Sequence, residues 1–173
     1  MFADQTHSAT PGQRSAVMRW QAKDRYYEQV QRAAQGDPDA SDDARKVVSV
    51  LHDLARPLLD DVQVWRGIRS VRDSFHVGIG ELCAGTTHIT VWFVAAAIDP
   101  NVARDEFTGP GRDPAVLKIR AKAGTGAIWI PPIGDPDVAY QGELLLIPGS
   151  MLRILAVATM SGLPMIEAEV SRP

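Results

Sequence analysis

Apolar residues recur at helical steps through the first third of the chain. Val17, Trp20, Tyr27, Val30 and Ala34 fall near one face of a helix expected over residues 15–34. Gly36-Asp37-Pro38-Asp39 stops it. Ser41 then offers a good N-cap, with Asp42 and Asp43 in the first turn, where the helix dipole favours anions. Val47, Val48, Leu51, Leu54 and Leu58 continue that second helix, which Pro57 ends or kinks. Residues 1–13 are polar, contain Pro11-Gly12, and read as a loose lead-in.

After Asp60-Asp61 the period changes from 3.6 to 2. Val62, Val64, Arg66 and Ile68 share one side of a strand over 62–68, with Gln63, Trp65 and Gly67 on the other. Further strands are expected over 89–98, 115–121, 126–130, 143–147, 151–158 and 165–170. Pro148-Gly149-Ser150 and Ser161-Gly162-Leu163-Pro164 supply turns between the last three. Helices followed by a succession of short strands indicate an α+β fold. At 173 residues the chain is expected to form one domain over 15–173, behind a lead-in over 1–14.

Composition narrows the classes. Hydrophobic content of 45% and charged content of 23% are ordinary for a globular protein. A net charge of −3 provides no overall basic footprint, so nucleic acid is not the favoured partner. The single cysteine, Cys83, excludes an internal disulfide and a cysteine zinc site within one chain. His7, His52, His76 and His88 show no metal-ligand spacing, so no metal is expected. No apolar run approaches the length of a membrane span, and the first 20 residues lack an apolar signal h-region.

Two places carry candidate chemistry. In Tyr140-Gln141-Gly142-Glu143, ahead of the apolar run 144–147, Gln141 and Glu143 would project together from the mouth of a strand covered on both faces. A carboxylate there is either satisfied by a buried partner or kept for chemistry. Arg66, set among β-branched residues, needs a partner, and carboxylate or phosphate matches its planar fork. The alternative puts Trp65 in the core and Arg66 in solvent. Gly67 beside it lets a ligand or another backbone come close.

These residues carry a resemblance. Val64-Trp65-Arg66-Gly67-Ile68 resembles the first motif of the mono-ADP-ribosyltransferase family of the arginine-serine-glutamate class. The segment 93–103, with Phe107 after it, is similar to the second motif and the helix that follows it. Gln141-Gly142-Glu143 and the run behind it resemble the third motif, in its Gln-x-Glu variant. The resemblance implies N-terminal helices followed by two small sheets flanking an NAD cleft. It implies NAD as co-substrate and transfer of ADP-ribose to a macromolecular acceptor, a protein in the first instance. By the same resemblance Glu143 would stabilise positive charge developing on the ribose, Arg66 would hold the pyrophosphate, and Gln141 would orient the acceptor. Gly67 and Ala95 would border the cofactor, and Trp129 and Tyr140 are candidate target contacts, with core packing the alternative for Trp129.

One departure stands out. The family carries Ser-Thr-Ser in the second motif, where this chain has Ala95-Ala96-Ala97. In the family pattern the first serine supports the glutamate, and its loss costs about 1–3 kcal/mol if nothing replaces the hydroxyl. Hence a second expectation: an impaired descendant that binds NAD or a partner protein, or serves as a structural component. A third is NAD hydrolysis with water as acceptor. Bacterial toxins, effectors and phage-encoded modifiers all use this fold. The expected location is the cytoplasm, or a target cell reached without a classical signal peptide.

Overall fold

A computed structural model describes residues 8–160 and 162–173. Residues 1–7 of the lead-in, His7 among them, therefore lie outside the described residues, as does Ser161 of the last predicted turn. Among the described residues, three helices lead: α1 (Pro11–Trp20), α2 (Tyr27–Ala34) and α3 (Asp42–Leu54). Helix α1 starts inside the expected lead-in. Thr10 caps it through a reciprocal bond with Gln13, and Pro11 occupies the first helical position, where its missing N–H costs nothing. The expected single helix over 15–34 is two helices, parted by a turn in which Arg25 has φ 61°. Ser41 caps α3 as expected, accepting from the Ala44 N–H.

Among the described residues nine strands follow: β1 (Arg56–Pro57), β2 (Val62–Ile68), β3 (Thr87–Ile89), β4 (Val94–Ala97), β5 (Ala115–Ala121), β6 (Gly126–Trp129), β7 (Glu143–Leu146), β8 (Met151–Met160) and β9 (Leu163–Ser171). Short helices α4 (Val71–Phe75) and α5 (Pro100–Phe107) interrupt them. The expected strand over 89–98 is divided into β3 and β4. Between them, Phe93 gives its backbone N–H and carbonyl to the Gln31 side chain, and the Thr90 N–H goes to Ser150, so the ladder has no claim on this segment.

The strands join in the order β1-β6-β7-β4-β2-β5-β9-β8-β3. Two separate sheets were expected; instead one hydrogen-bonded order runs through both. The link between β4 and β2 is a single residue pair, Trp65 with Ala97. On either side of it the pairing is extensive, from Val94↔Leu146 to Ala97↔Glu143 in one half and along all of β2 and β5 in the other. The molecule thus has two sheet halves meeting at one point.

The pattern of burial shows how the halves pack. Leu144 and Leu146 face a core shared with Val64, Leu117, Ile119, Ile154 and Ile166 of the other half. Leu145, pointing the opposite way, joins Val17, Trp20, Val30, Leu51, Phe93 and Ile128 in a second core beneath the helices. That explains the unbroken apolar run after Glu143: both faces of β7 are covered. Burying each such leucine contributes about 1.5–3 kcal/mol.

Candidate active site

A cleft of ≈ 620 Å³ opens where β4 and β2 part, beneath the end of α1 and the start of α2. Its wall includes Trp20, Gln21 and Tyr27 from the helices, Trp65 to Ser70 from β2 and the segment beyond it, Ala95 to Ala97 from β4, and Gln141 and Glu143. Volume and mixed lining fall in the range of small-molecule sites. The structure brings together residues that lie far apart in the sequence.

Arg66 reaches the cleft from the core face of β2, between Val64 and Ile68, which are 0% and 5% exposed. The solvent-facing alternative does not hold. Arg66 Nη1 donates to the Ala95 carbonyl at 2.8 Å, and among the described residues no carboxylate hydrogen-bonds the guanidinium. Burial pulls Arg66 below its ordinary value, while the charge of Glu143 and the Tyr27 phenol act in the other direction. A guanidinium has five N–H donors, so most of the fork remains for a ligand.

Glu143 begins β7 directly after Gly142, whose φ of +54° lets the chain turn sharply out of the short 3-10 segment Pro136–Gln141. A side chain on Gly142 would also strike Ile98. The two carboxylate oxygens have separate donors. Oε1 accepts from the Trp20 indole N–H at 2.9 Å, and Oε2 from the Gln21 amide at 3.1 Å. Burial raises the Glu143 carboxyl above the ordinary range; Trp20, Gln21 and Arg66 oppose the rise.

Gln141 lines the same cleft, but from the 3-10 segment rather than from the strand. Its amide donates to Glu106 at the end of α5, at 2.9 Å, and the exposed Tyr140 hydroxyl donates to the same oxygen at 3.2 Å. Gly67 has a different neighbour from a ligand: a Cβ there would stand 2.2 Å from the Ala103 carbonyl oxygen of α5. Its smallness serves helix packing, while its backbone borders the cleft. Ala95 lies across from Leu145, and the residue opposite Glu143 on the ladder is Ala97. Trp129 is half-buried against the core between the sheet halves.

Reading by periodicity missed Trp20 and Gln21. Trp20 counted there as one apolar position, yet a buried indole N–H calls for an acceptor. Among the described residues, no group of three or more His, Cys, Asp or Glu side chains could hold a metal ion. No helix among them is long and apolar enough to cross a membrane.

No protein-family model and no curated protein sequence matches the chain. Solved structures do. Plx2a, an ADP-ribosyltransferase toxin from Paenibacillus larvae, superposes with a TM-score of 0.76 over 98% of this chain and 90% of its own, at 13% identity. Vis toxin, an ADP-ribosyltransferase from Vibrio splendidus, gives 0.71 over 98% and 77%, at 16% identity. Exoenzyme S from Pseudomonas aeruginosa, bound to Carba-NAD and in complex with human 14-3-3 protein beta, gives 0.69 over 97% and 78%, at 13%. The chain has the fold of these ADP-ribosyltransferases.

Proposed function

We propose that this protein is a mono-ADP-ribosyltransferase that takes NAD as co-substrate and passes its ADP-ribose to a protein acceptor. The observation that carries the reading is the convergence of Arg66 and Glu143 on one cleft, in a fold whose neighbours include Exoenzyme S bound to Carba-NAD. The cleft suits a dinucleotide: it has the volume, aromatic walls in Trp65 and Tyr27, and an arginine fork that no carboxylate among the described residues hydrogen-bonds.

NAD supplies the electrophile. Its nicotinamide–ribose bond breaks with the electron pair leaving on nicotinamide, and the acceptor bonds to the same carbon and gives up a proton. The chain's own residues do the rest. Arg66 holds the pyrophosphate. Glu143, ionised and pre-oriented, stabilises the positive charge that grows on the ribose, as carboxylates do in glycoside hydrolysis. Gln141 presents its amide to the incoming acceptor. Its amide N–H is held by Glu106, which leaves the carbonyl oxygen for an acceptor that carries a donor.

Nothing observed favours an impaired module, because Glu143 keeps a donor on each oxygen despite Ala95-Ala96-Ala97. Toxins and exoenzymes among the structural neighbours point to a role as a toxin or effector acting inside a target cell. A phage role finds no support among them. The test is labelled NAD in a cell lysate with the purified protein. Label passing to protein with the native chain, and not with Glu143→Gln, is the expected result. Label released wholly as free ADP-ribose would replace transfer by hydrolysis, and no turnover with either would overturn the proposal.

A further inference from the structure

The strand beside Glu143 has no side-chain donor to offer: Ala97 stands across from it, and Ala95 and Ala96 come before. A carboxylate so enclosed needs donors to stay ionised and to stay aimed. Both of its donors come from the end of α1, and the structure fixes each of them in place.

Trp20 is 4% exposed, with its ring edge-on to Phe93 at 5.6 Å and tilted against Tyr27 at 6.0 Å. Its N–H therefore has little freedom. Gln21 uses one amide for two bonds. Its Oε1 accepts from the Asp135 backbone N–H at 2.8 Å while its Nε2 donates to Glu143. Since a backbone N–H only donates, the amide has one allowed orientation, with its own N–H toward the carboxylate.

An independent observation completes the device. A Cβ on Gly134 would lie 2.2 Å from Gln21 Oε1 and 2.8 Å from an Ile130 methyl. Gly134 is not among the glycines of positive φ, so the backbone does not demand glycine there. Space for the Gln21 amide does. Neither Gly134 nor Asp135 lines the cleft.

We propose that Trp20 and Gln21 are positioning residues for Glu143, seated by Gly134 and the Asp135 amide, and that they replace the hydroxyl support which β4 lacks. The inference rests on the proposed transfer reaction for its meaning, though not for its test. It makes the aim of Glu143 depend on the segment between β6 and β7, the one that ends in Gln141. A disturbance at Gly134 reaches the carboxylate through a single side chain.

Burial raises Glu143, and Trp20, Gln21 and Arg66 each pull it back down. Loss of either donor sends it further up. The other charged or titratable groups on the cleft wall are Lys23 and Arg25 before α2, Tyr27 on α2, Arg69 after β2 and Asp73 on α4. The variants below leave all of them in place.

The experiment compares Gln21→Leu, Gly134→Ala and Trp20→Phe with the native chain, each confirmed as folded by its thermal melt. Carbon-13 labelling of glutamate carboxyls reports Glu143 directly, its signal assigned by its loss in Glu143→Gln. The titration midpoint is expected to rise in all three variants. Nicotinamide release should fall about 10-fold or more in kcat, with KM for NAD within about two-fold and the acid limb of the profile displaced upward. Trp20→Phe keeps the ring packing and Gly134→Ala adds one methyl, so one of them remains informative if Gln21→Leu fails to fold. An unmoved midpoint in folded Gln21→Leu or Gly134→Ala overturns the inference. A native chain that releases no nicotinamide overturns the proposed reaction instead, and the carboxyl titration still decides the positioning role.

Discussion

Glu143 is an expensive residue to keep. Its folded-state carboxyl is raised, chiefly by burial, so the native protein holds that proton more tightly than the unfolded chain does. The sign follows from linkage: the residue costs nothing at low pH, and its cost grows as pH climbs through the unfolded and then the folded value. Glu143→Gln is therefore expected to be more stable than the native chain at neutral pH, with the difference vanishing toward pH 3. Urea unfolding at the two pH values checks this. An equal or lower stability at neutral pH would mean that the donors outweigh burial. Activity should show the mirror image, falling on the acid side at a pH above the ordinary carboxylate range. Gly67 gives a second prediction. Gly67→Ala drives a methyl into the Ala103 carbonyl of α5 and should cost about 1–3 kcal/mol in urea unfolding. Because Glu106 of α5 holds Gln141, transfer to the acceptor should suffer along with stability. Arg66 and Glu143 stood out in the sequence as candidates, because a charge among β-branched neighbours and an acid before an apolar run both break a pattern, and Gln141 stood out as the polar side chain two residues before that acid; all three line the cleft. Trp20 and Gln21 break none. A tryptophan on an apolar stripe fits the helix period whether or not its N–H has work to do.

At the level of elements, the agreement between sequence and structure depends on what satisfies the backbone. β2 and β5 appear residue for residue where alternation placed them, since a complete ladder ties each to its neighbour. β7 falls one residue short of its expected end. The helix expected over 15–34 is cut because Trp20 and Gln21 are drawn toward Phe93, Asp135 and Glu143. The seven-residue step from Trp20 to Tyr27 preserves helical phase across the break, so periodicity could not reveal it. The expected strand over 89–98 is cut for a comparable reason, with Gln31 acting as a substitute for a neighbouring strand. α3 offers a test free of the site. Ser41→Ala removes its cap and should cost about 1 kcal/mol by urea unfolding, leaving nicotinamide release unchanged. A large loss of activity in that variant would mean that α3 helps to shape the cleft.

Across the described residues, two sheet halves share one core and touch in the ladder only at Trp65 and Ala97. The cleft opens at that joint, and the helices reach it from above with the donors for Glu143. The α+β class, with helices ahead of strands, was legible from the sequence; the joint was not, since a single residue pair leaves no period. Amides in β5 and β9, flanked by strands on both sides, are expected to exchange hydrogen most slowly, and those of the edge strands β1 and β3 faster. Rapid exchange throughout β5 would contradict the central place given to it.

The most direct measurement is single-turnover release of nicotinamide from NAD by the native chain and by Glu143→Gln, with NAD binding followed by calorimetry on both. The proposed reaction requires that both bind NAD and that release fall on the order of 100-fold or more in the variant, as for loss of a preorganised electrostatic group. Equal release from the two, or no NAD binding by either, would contradict it.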